Sequence, residues 1–441
     1  MNQILIYSET MHPRLLYVLS VLDSYTEEAS FQLTSLKDEF KLYSGPSINY
    51  SSTPIKSNEL FIKNSGSLYQ NLEQFIEPAF RKSTTIFQLY PESEGEGFDL
   101  FAAVFYLLAR VEEYQKNEFD KHHRFAAASS ILFRNGVLQQ AVVDAWIFSF
   151  INELELKFNI SLPIRIYNPL WSLGVDIDQF YKHKYKSAIL KLAGSLRDFA
   201  YGKYQRYLER MQIYCGLSRD PYDSMQHFSG IPVQKNQLTF FILSGGNSSY
   251  DKNHSLKLKP VIQTLNYLKT IGEIGLHPSY NSMEDTQRIN EEKRALEKAC
   301  DVQIKSSRQH FLRLHIEKTY PALIQNNILT DFSMGFADQP GFRAGTCRPF
   351  YWYDLRNEKQ TNLFVIPLCC MDRTYLDYLK FNPAEAQASI IKLFNQVKKY
   401  GGHFHLTWHN SSFDFNDEWK AWEHVLNDLI VYFNQHSKSN E

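Results

Sequence analysis

The chain has 441 residues, and its 47 Lys and Arg against 48 Asp and Glu give a formal net charge of -1. An aromatic content of 15% argues against a disordered chain, and the near-neutral charge argues against a nucleic-acid-binding protein, which needs a basic surface. The longest apolar run of low charge, from Leu100 to Ala109, is too short for a membrane span of about 20 residues.

The five cysteines are scattered and include no CxxC pair, which is typical of a reducing compartment. The first residues lack the basic and apolar segments of a secretory signal. We therefore expect a cytoplasmic protein, and the sequence leaves its oligomeric state open.

Residues 1–165 have the pattern of an N-terminal α/β domain. An apolar strand over residues 2–8 is followed by a helix over residues 14–25. Asp99 is placed to cap a strongly apolar helix, and a further helix over about residues 139–158 completes the domain.

Residues 166–441 alternate between short apolar segments and longer amphipathic stretches. The segments suited to strands include residues 171–177, 238–243, 273–277, 364–368 and 402–408. This alternation predicts a parallel sheet or a (β/α) barrel. Functional groups of such folds lie where strands end and loops begin, so polar residues at those positions are candidates for a site.

Two carboxylates lie at the end of the first of these strands. Asp176 and Asp178 are two positions apart, so on a strand their side chains face the same side. One could then bind a metal while the other acts as a base. The alternative is a solvated loop start, where Asp is common.

Histidines follow two later segments. His277 directly precedes Pro278, which disfavours the helical conformation and holds the imidazole at a strand terminus. The sequence leaves open whether His277 is a metal ligand or an ordinary loop residue. Arg308 and His310 share a face if their segment is extended, and a helix capped by Ser306 is the alternative.

The last predicted strand carries His403, His405 and His409 on one face. At about 3.3 Å per residue the first and third are roughly 20 Å apart. Zinc–nitrogen bonds are about 2.0–2.1 Å long, so these two cannot bind the same ion. His409, at the carboxyl end of the strand, is therefore the site candidate, and the other two are predicted to lie in the barrel interior.

These four segments, in this order, resemble the motifs of the polysaccharide deacetylases of carbohydrate esterase family 4, the nodulation-protein type, from about residue 171 to the C-terminus. The resemblance implies a deformed (β/α) barrel that removes N- or O-acetyl groups from sugars with a divalent metal. The preceding half, notably residues 101–114 and 120–125, resembles an uncharacterised domain found before such barrels in Bacteroidetes-type bacteria. No chemistry follows from that second resemblance.

The family motifs assign roles to individual residues. The resemblance implies that Asp176 is the catalytic base and Asp178 a metal ligand, although Ile177 separates two carboxylates that are adjacent in the family. His277 matches the first imidazole ligand. The second imidazole position holds Asn281 instead.

Two later motifs complete the implied site. Arg308 matches the arginine that orients the base, and His310 from the same segment is the candidate to replace the missing imidazole. The third ligand is therefore either His310 or Asn281. His409 matches the general acid, with Asn410 where the family has Asp.

The implied cofactor is a divalent metal, zinc first, with cobalt, nickel or manganese as alternatives. The implied partner is a carbohydrate or an acetylated small-molecule substrate. Two other functions stay open. Asn281 and Asn410 favour a catalytically inactive barrel that binds a glycan or a protein partner, and a cytoplasmic location favours a metal-dependent hydrolase of another C–N bond.

Overall fold

The computed structural model describes residues 2–72, 77–82, 87–93, 97–115, 118–223, 227–228, 230–416 and 418–437. Within these residues the strands form a four-stranded sheet, a two-stranded sheet and an eight-stranded sheet.

The four-stranded sheet belongs to the N-terminal part of the chain and is parallel throughout. Its strands are β1 (Asn2–Ser8), β2 (Ala29–Thr34), β3 (Ser47–Ser51) and β4 (Leu60–Lys63), in the order β2-β1-β3-β4. The predicted first strand is thus confirmed, with Ile4 and Ile6 fully buried. A short antiparallel pair, β5 (Phe80–Lys82) and β6 (Phe87–Leu89), follows in the chain.

The helices of this part are α1 (Pro13–Tyr25), α2 (Lys37–Leu42), α3 (Leu100–Leu108), α4 (Val111–Gln115), α5 (Ile131–Arg134) and α6 (Val142–Phe158). Helix α1 begins at Pro13, where the missing proline N–H removes no hydrogen bond of the helix. Every residue of α3 is buried, and the Asp99 carboxylate caps this helix as predicted by accepting the Ala102 N–H at 3.0 Å. The expected α/β pattern of the N-terminal part is therefore confirmed.

The eight-stranded sheet closes on itself. Its strands are β7 (Trp171–Ile177), β8 (Leu238–Leu243), β9 (Glu273–His277), β10 (Ser306–Ser307), β11 (Thr330–Met334), β12 (Phe350–Asp354), β13 (Lys359–Met371) and β14 (Phe404–His409). Seven of them pair in parallel in the ring β7-β8-β9-β10-β11-β13-β14-β7, and β12 pairs antiparallel with β13 outside the ring. The pairing of β14 with β7 closes the expected (β/α) barrel.

The barrel is deformed on one side, as expected. Strand β10 has only two residues, and the register between β11 and β13 shifts between Asp331 and Met334. The helices that follow the strands are α7 (Ala188–Ala200), α8 (Tyr204–Tyr214), α9 (Lys259–Ile271), α10 (Gln287–Cys300), α11 (Ile316–Gln325), α12 (Pro383–Lys399) and α13 (Val425–His436). The segment after β10 is neither a long strand nor an α-helix, but a loop with one 3₁₀ turn, His310–Leu312.

Buried ion pairs join the N-terminal part to the barrel. Arg343 of the barrel contacts the Glu113 carboxylate at 2.5 Å, and Arg110 donates to the Arg343 carbonyl. The Asp144 carboxylate accepts the Cys347 N–H at 2.9 Å. Buried charges that lose one partner are costly, so these contacts fix the two parts against each other. The boundary at residue 165 stays a prediction.

Among the described helices, we find none that is long and apolar enough to cross a bilayer.

Candidate metal centre

A cavity of about 360 Å³ opens at the carboxyl ends of the barrel strands. The six predicted site residues lie at or beside this cavity, which is lined by Asp176, Asp178, Arg308, His310 and His409 together with residues of several loops. The Nε2 atom of His277 lies 3.8 Å from the Asp176 carboxylate and 3.3 Å from the Asp178 carboxylate, both of which line the cavity. The parallel arrangement explains this convergence, because the carboxyl ends of all seven strands meet on one side of the barrel.

Asp176 lies at the centre of the group. It is the register partner of His409 across the β7–β14 pair, and the Nε2 atom of His409 lies 3.7 Å from its Oδ2 atom. Arg308 donates from Nε to the same Oδ2 atom at 2.8 Å. The carboxylate is buried, and its Oδ1 atom makes no hydrogen bond to any residue that the structure describes. One oxygen is thus held in place and the other is left available to a substrate or water.

A second cluster joins Asp178, His277 and His310. One ligand atom from each of these residues lies within 4.8 Å of the others. The Oδ1 atom of Asp178 is 3.3 Å from Nε2 of His277 and 3.7 Å from Nε2 of His310. Asn281, the other candidate for third ligand, lies in the adjacent turn Tyr280–Met283 and does not belong to this cluster of described residues.

Partners behind the two imidazoles fix their orientation. The Nδ1 atom of His277 lies 2.5 Å from the Arg308 carbonyl oxygen, so Nδ1 donates and Nε2 is the free nitrogen that faces Asp178. The Nδ1 atom of His310 lies 3.1 Å from Oδ1 of Asp251. Metal-binding histidines typically use their second nitrogen in this way, because it sets the tautomer and the ring orientation.

The donor set fits a divalent cation. Oδ1 of Asp178 and Nε2 of His277 are both buried and make no hydrogen bond within the described part of the chain, which is costly unless another group satisfies them. Partial burial raises the pKa of the Asp178 carboxyl, but the His310, His277 and His409 imidazoles outweigh this and hold it below its usual range. One carboxylate and two imidazoles are common ligands of zinc and of neighbouring divalent metals.

The predicted general acid has a carboxylate partner that sequence reasoning missed. The Nδ1 atom of His409 lies 2.7 Å from Oδ1 of Asp372, at the end of β13. Burial lowers the pKa of His409, but the Asp372 carboxylate and its hydrogen bond outweigh burial and raise this pKa to about 9. Asn410, where the family motif has Asp, instead donates to the carbonyl oxygens of Gln179 and Tyr222.

His403 and His405 lie inside the barrel, as predicted. Both are buried and contact the Ser172 hydroxyl, at 2.7 Å and 2.8 Å respectively. Burial lowers the pKa of His403 to about 4, and burial also holds the pKa of His405 well below its ordinary value. These two residues are therefore neutral and structural.

The N-terminal part contributes to the wall of the site, which sequence reasoning also missed. Arg124 lines the cavity and donates from Nη1 to the Phe311 carbonyl at 2.7 Å, directly after His310 in the chain. Phe311 and Leu312 both have left-handed backbone conformations, with φ of 59° and 52°. Such conformations are strained in residues other than glycine and persist only where neighbouring groups hold them.

An aromatic cluster borders the same wall. Tyr250 and Tyr280 stack with ring centroids 4.3 Å apart, and Phe311 contacts both rings. The Nδ1 atom of His122, from the N-terminal part, lies 2.9 Å from the Tyr280 hydroxyl. Tyr250 and Phe311 line the cavity, so a ligand bound there meets aromatic faces next to the metal-ligand candidates.

Comparison with known proteins gives one family match, which covers about the first third of the chain. Residues 4–159 match a protein family of unknown function, DUF7033. Among curated proteins, none matches the chain.

Three solved structures are similar to this chain. One, assigned as a polysaccharide deacetylase, comes from Mycobacterium smegmatis, with 16% identity over 62% of this chain and 86% of that one, and a TM-score of 0.36. The PuuE allantoinase has 13% identity over 60% and 84%, with a TM-score of 0.38. A mutant of a family 4 carbohydrate-esterase pseudoenzyme with restored activity has 9% identity over 66% and 79%, with a TM-score of 0.27.

The chain is an α/β protein with a closed barrel of seven parallel strands, preceded by a separate α/β part. The evidence for closure is the strand pairing itself, from β7 round to β14.

Proposed function

We propose that this protein is a metal-dependent hydrolase that removes acetyl groups from a carbohydrate or an acetylated small molecule. The observation that supports it best is the juxtaposition of two groups of side chains in one cavity. Asp178, His277 and His310 form a ligand set, and Asp176 lies beside it, 3.8 Å from His277 and 3.7 Å from His409.

Asp178, His277 and His310 are the proposed metal ligands. A divalent ion bound there would polarise an acetyl carbonyl and lower the pKa of a water molecule. Zinc is the first candidate for this carboxylate and imidazole set, and cobalt, nickel and manganese are alternatives. The unsatisfied Oδ1 of Asp178 and Nε2 of His277 support this assignment.

Asp176 is the proposed general base. Arg308 holds its Oδ2 atom at 2.8 Å, which fixes the orientation of the carboxylate. Oδ1 has no hydrogen-bond partner among the described residues and can accept the proton of an attacking water. Arg308 also contacts the Thr407 hydroxyl on β14, so the guanidinium is itself fixed. A base that is positioned in this way contributes roughly 10²–10⁴-fold to a rate.

His409 is the proposed general acid. Its pKa of about 9 keeps the imidazole protonated at neutral pH, with Nδ1 donating to Asp372. The Nε2 atom then has its proton directed towards the cavity, 3.7 Å from Asp176. It can donate this proton to the substrate nitrogen or oxygen that leaves when the acetyl group is removed.

The residues that favoured an inactive barrel have substitutes in the fold. His310 offers an imidazole nitrogen where Asn281 cannot, and Asp372 offers His409 a carboxylate where Asn410 cannot. Hydrolysis of another C–N bond uses the same groups, so the choice of substrate distinguishes it from deacetylation.

The test is acetate release from a panel of N-acetylated and O-acetylated sugars, with cyclic and linear amides as the comparison set. We expect release from at least one acetylated sugar, and losses of roughly 10²–10⁴-fold in Asp176→Asn and His409→Gln. Asp377→Asn is the matched control, because Asp377 lines the same cavity and pairs with Arg373 instead. Amide hydrolysis without acetate release, or unchanged turnover in both variants, would contradict the proposal.

A further inference from the structure

A helical hairpin between β7 and β8 exposes an apolar surface. It consists of α7 and α8, joined by a turn in which Gly202 has a φ of 67°. Along α7, Ile189, Leu192, Leu196 and Phe199 recur at helical spacing and have 80%, 63%, 61% and 56% of their surface exposed. An apolar stripe at this spacing normally faces a protein core.

The second helix repeats this arrangement. Tyr204, Leu208 and Met211 recur four and three positions apart on α8, and all three are exposed. Single exposed apolar side chains are common on protein surfaces, but a contiguous group marks a surface that binds something.

A buried ion pair holds the two helices together, alongside ring contacts of Phe199 with Tyr204 and Tyr207. Asp198 and Arg210 are buried and form an ion pair at 2.5 Å between α7 and α8. Gly194 makes room for this pair, because a Cβ atom there would lie 2.6 Å from the Arg210 guanidinium. The hairpin therefore buries a charged pair between its helices, while the apolar stripes of both helices stay exposed.

The hairpin and its two ends are also strongly basic. Residues 182–219 contain nine Lys and Arg against two acidic residues, whereas the whole chain has a net charge of -1. The remainder of the chain is thus acidic, and the positive charge is concentrated on the segment that exposes the apolar stripes. Basic amphipathic helices of this composition lie in the interface of anionic bilayers, with the apolar side chains inserted and the cations near the headgroups.

We propose that the α7–α8 hairpin binds the surface of an anionic lipid bilayer. Charge complementarity favours this partner over a second copy of the chain, because the same basic surface on two copies repels. A polyanion such as RNA would satisfy the charges but leave Ile189, Leu192, Leu196 and Phe199 in water. A bilayer interface satisfies both features at once.

The hairpin is anchored at the mouth of the cavity. The Asp220 carboxylate accepts the N–H groups of Lys182, His183 and Lys184, which joins the two ends of the hairpin. Tyr222, two residues later, lines the cavity. Membrane binding would therefore bring the cavity close to the bilayer. This suits an acetylated sugar attached to a lipid, a point that rests on the proposed function, whereas membrane binding itself does not.

The test is co-sedimentation of the full chain with phosphatidylcholine vesicles, with and without phosphatidylglycerol, at low and high salt. We expect at least tenfold stronger binding to the anionic vesicles, weakened by salt because screening shortens the reach of the charges. The double variant Leu192→Gln/Leu196→Gln should lose at least tenfold in vesicle affinity. Its control is Leu42→Gln/Leu156→Gln, which changes two leucines elsewhere that are even more exposed.

The charges are tested separately with Lys191→Gln/Arg197→Gln against Lys157→Gln/Lys398→Gln. The first pair should weaken binding to anionic vesicles at low salt, and the second should leave it unchanged. Absence of vesicle binding, or binding that the hairpin variants do not weaken, would overturn the inference. So would a dimer that the leucine variant converts to a monomer, or RNA binding without vesicle binding. None of these measurements depends on turnover, so they stand apart from the test of the proposed function.

Discussion

The Nδ1 atom of His409 lies 2.7 Å from Oδ1 of Asp372, a residue 37 positions earlier in the chain. The other carboxylate oxygen accepts the backbone N–H of His409 and the hydroxyl of Ser412, at 2.7 Å and 2.5 Å. Strands β13 and β14 are neighbours in the barrel, so their carboxyl ends bring the two side chains together. The carboxylate that is absent at Asn410 is thus supplied from the adjacent strand.

Removing this carboxylate should lower the pKa of His409. Asp372→Asn keeps the shape of the side chain but removes the carboxylate that does most to raise the pKa to about 9, so the pKa should fall. The pKa can be measured by NMR titration of the imidazole nitrogens, which needs no substrate. Asp377→Asn is the control, and an unshifted His409 in Asp372→Asn would contradict the assignment.

The same substitution predicts a change in the pH profile of turnover. A general acid must be protonated, so activity that depends on His409 should persist up to about pH 9 in the wild type. In Asp372→Asn the decline should begin at a lower pH. The variant should then be much more impaired at pH 8 than at pH 6. A uniform loss at all pH values would indicate that Asp372 acts only on stability.

Substitution of the two candidates for third ligand should distinguish them. We expect His310→Ala to lose metal affinity at least 100-fold, because its Nε2 lies 3.7 Å from Asp178. Asn281→Ala should bind metal as the wild type does, since Asn281 is outside the cluster. Cobalt absorption titrations measure both affinities. The reverse order of effects would assign the ligand role to Asn281.

Arg124 should affect metal binding although it belongs to the N-terminal part. Its guanidinium donates to the Phe311 carbonyl and pairs with Asp120 at 2.6 Å, so it holds the strained turn that follows His310. Arg124→Met should weaken metal binding roughly 10–100-fold, the usual effect of losing a group that orients a ligand.

A double-variant cycle separates this positioning role from a general loss of stability. In a His310→Ala background, Arg124→Met should cost no further metal affinity, since its effect is exerted through His310. Arg134→Met is the matched control, an arginine of the same part that pairs with Glu77. An equal loss in the His310→Ala background would refute the positioning role.

Acid should destabilise the protein through its buried histidines. Burial lowers the pKa of His403 to about 4 in the folded chain, whereas an unfolded histidine titrates near 6.5. The unfolded state therefore takes up the proton first, and the free energy of unfolding falls as the pH drops from about 6.5 to about 4. This residue alone contributes a decrease of roughly 3 kcal/mol across that window.

Urea unfolding at a series of pH values measures this effect. His403→Gln keeps an amide that can bond to Ser172 and the Pro169 carbonyl, and it should reduce the slope by about 1.4 kcal/mol per pH unit. His424→Gln, at an exposed position, is the control. An unchanged slope in His403→Gln would show that His403 is already charged in the folded protein.

Much of the fold and part of the candidate site could be predicted from the sequence. Strand-like segments ending in Asp176 and His277 indicated both the barrel and its functional side, because chain order alone determines which residues follow a strand. The length of the strand predicted that His409, but not His403 or His405, belongs to the site. The burial of His403 and His405 inside the barrel agrees with this prediction.

The remaining contacts depend on long-range geometry. Asp372 follows the apolar end of β13 and belongs to no recognisable motif. Its role as the partner of His409 becomes visible only when β13 and β14 pair. Asp251 lies in a loop without a recognisable pattern, yet contacts His310. Arg124 reaches Phe311 across 187 positions, through the packing of the N-terminal part on the barrel. Local periodicity contains no information on such contacts.

The central claim is that Asp178, His277 and His310 bind a divalent metal, and elemental analysis of protein purified without chelator tests it most directly. We predict about one divalent ion per chain in the wild type, and its loss in Asp178→Ala and in His277→Ala with the fold retained. Wild-type protein that holds no divalent ion even after incubation with zinc and cobalt would contradict the account. So would full occupancy in both variants.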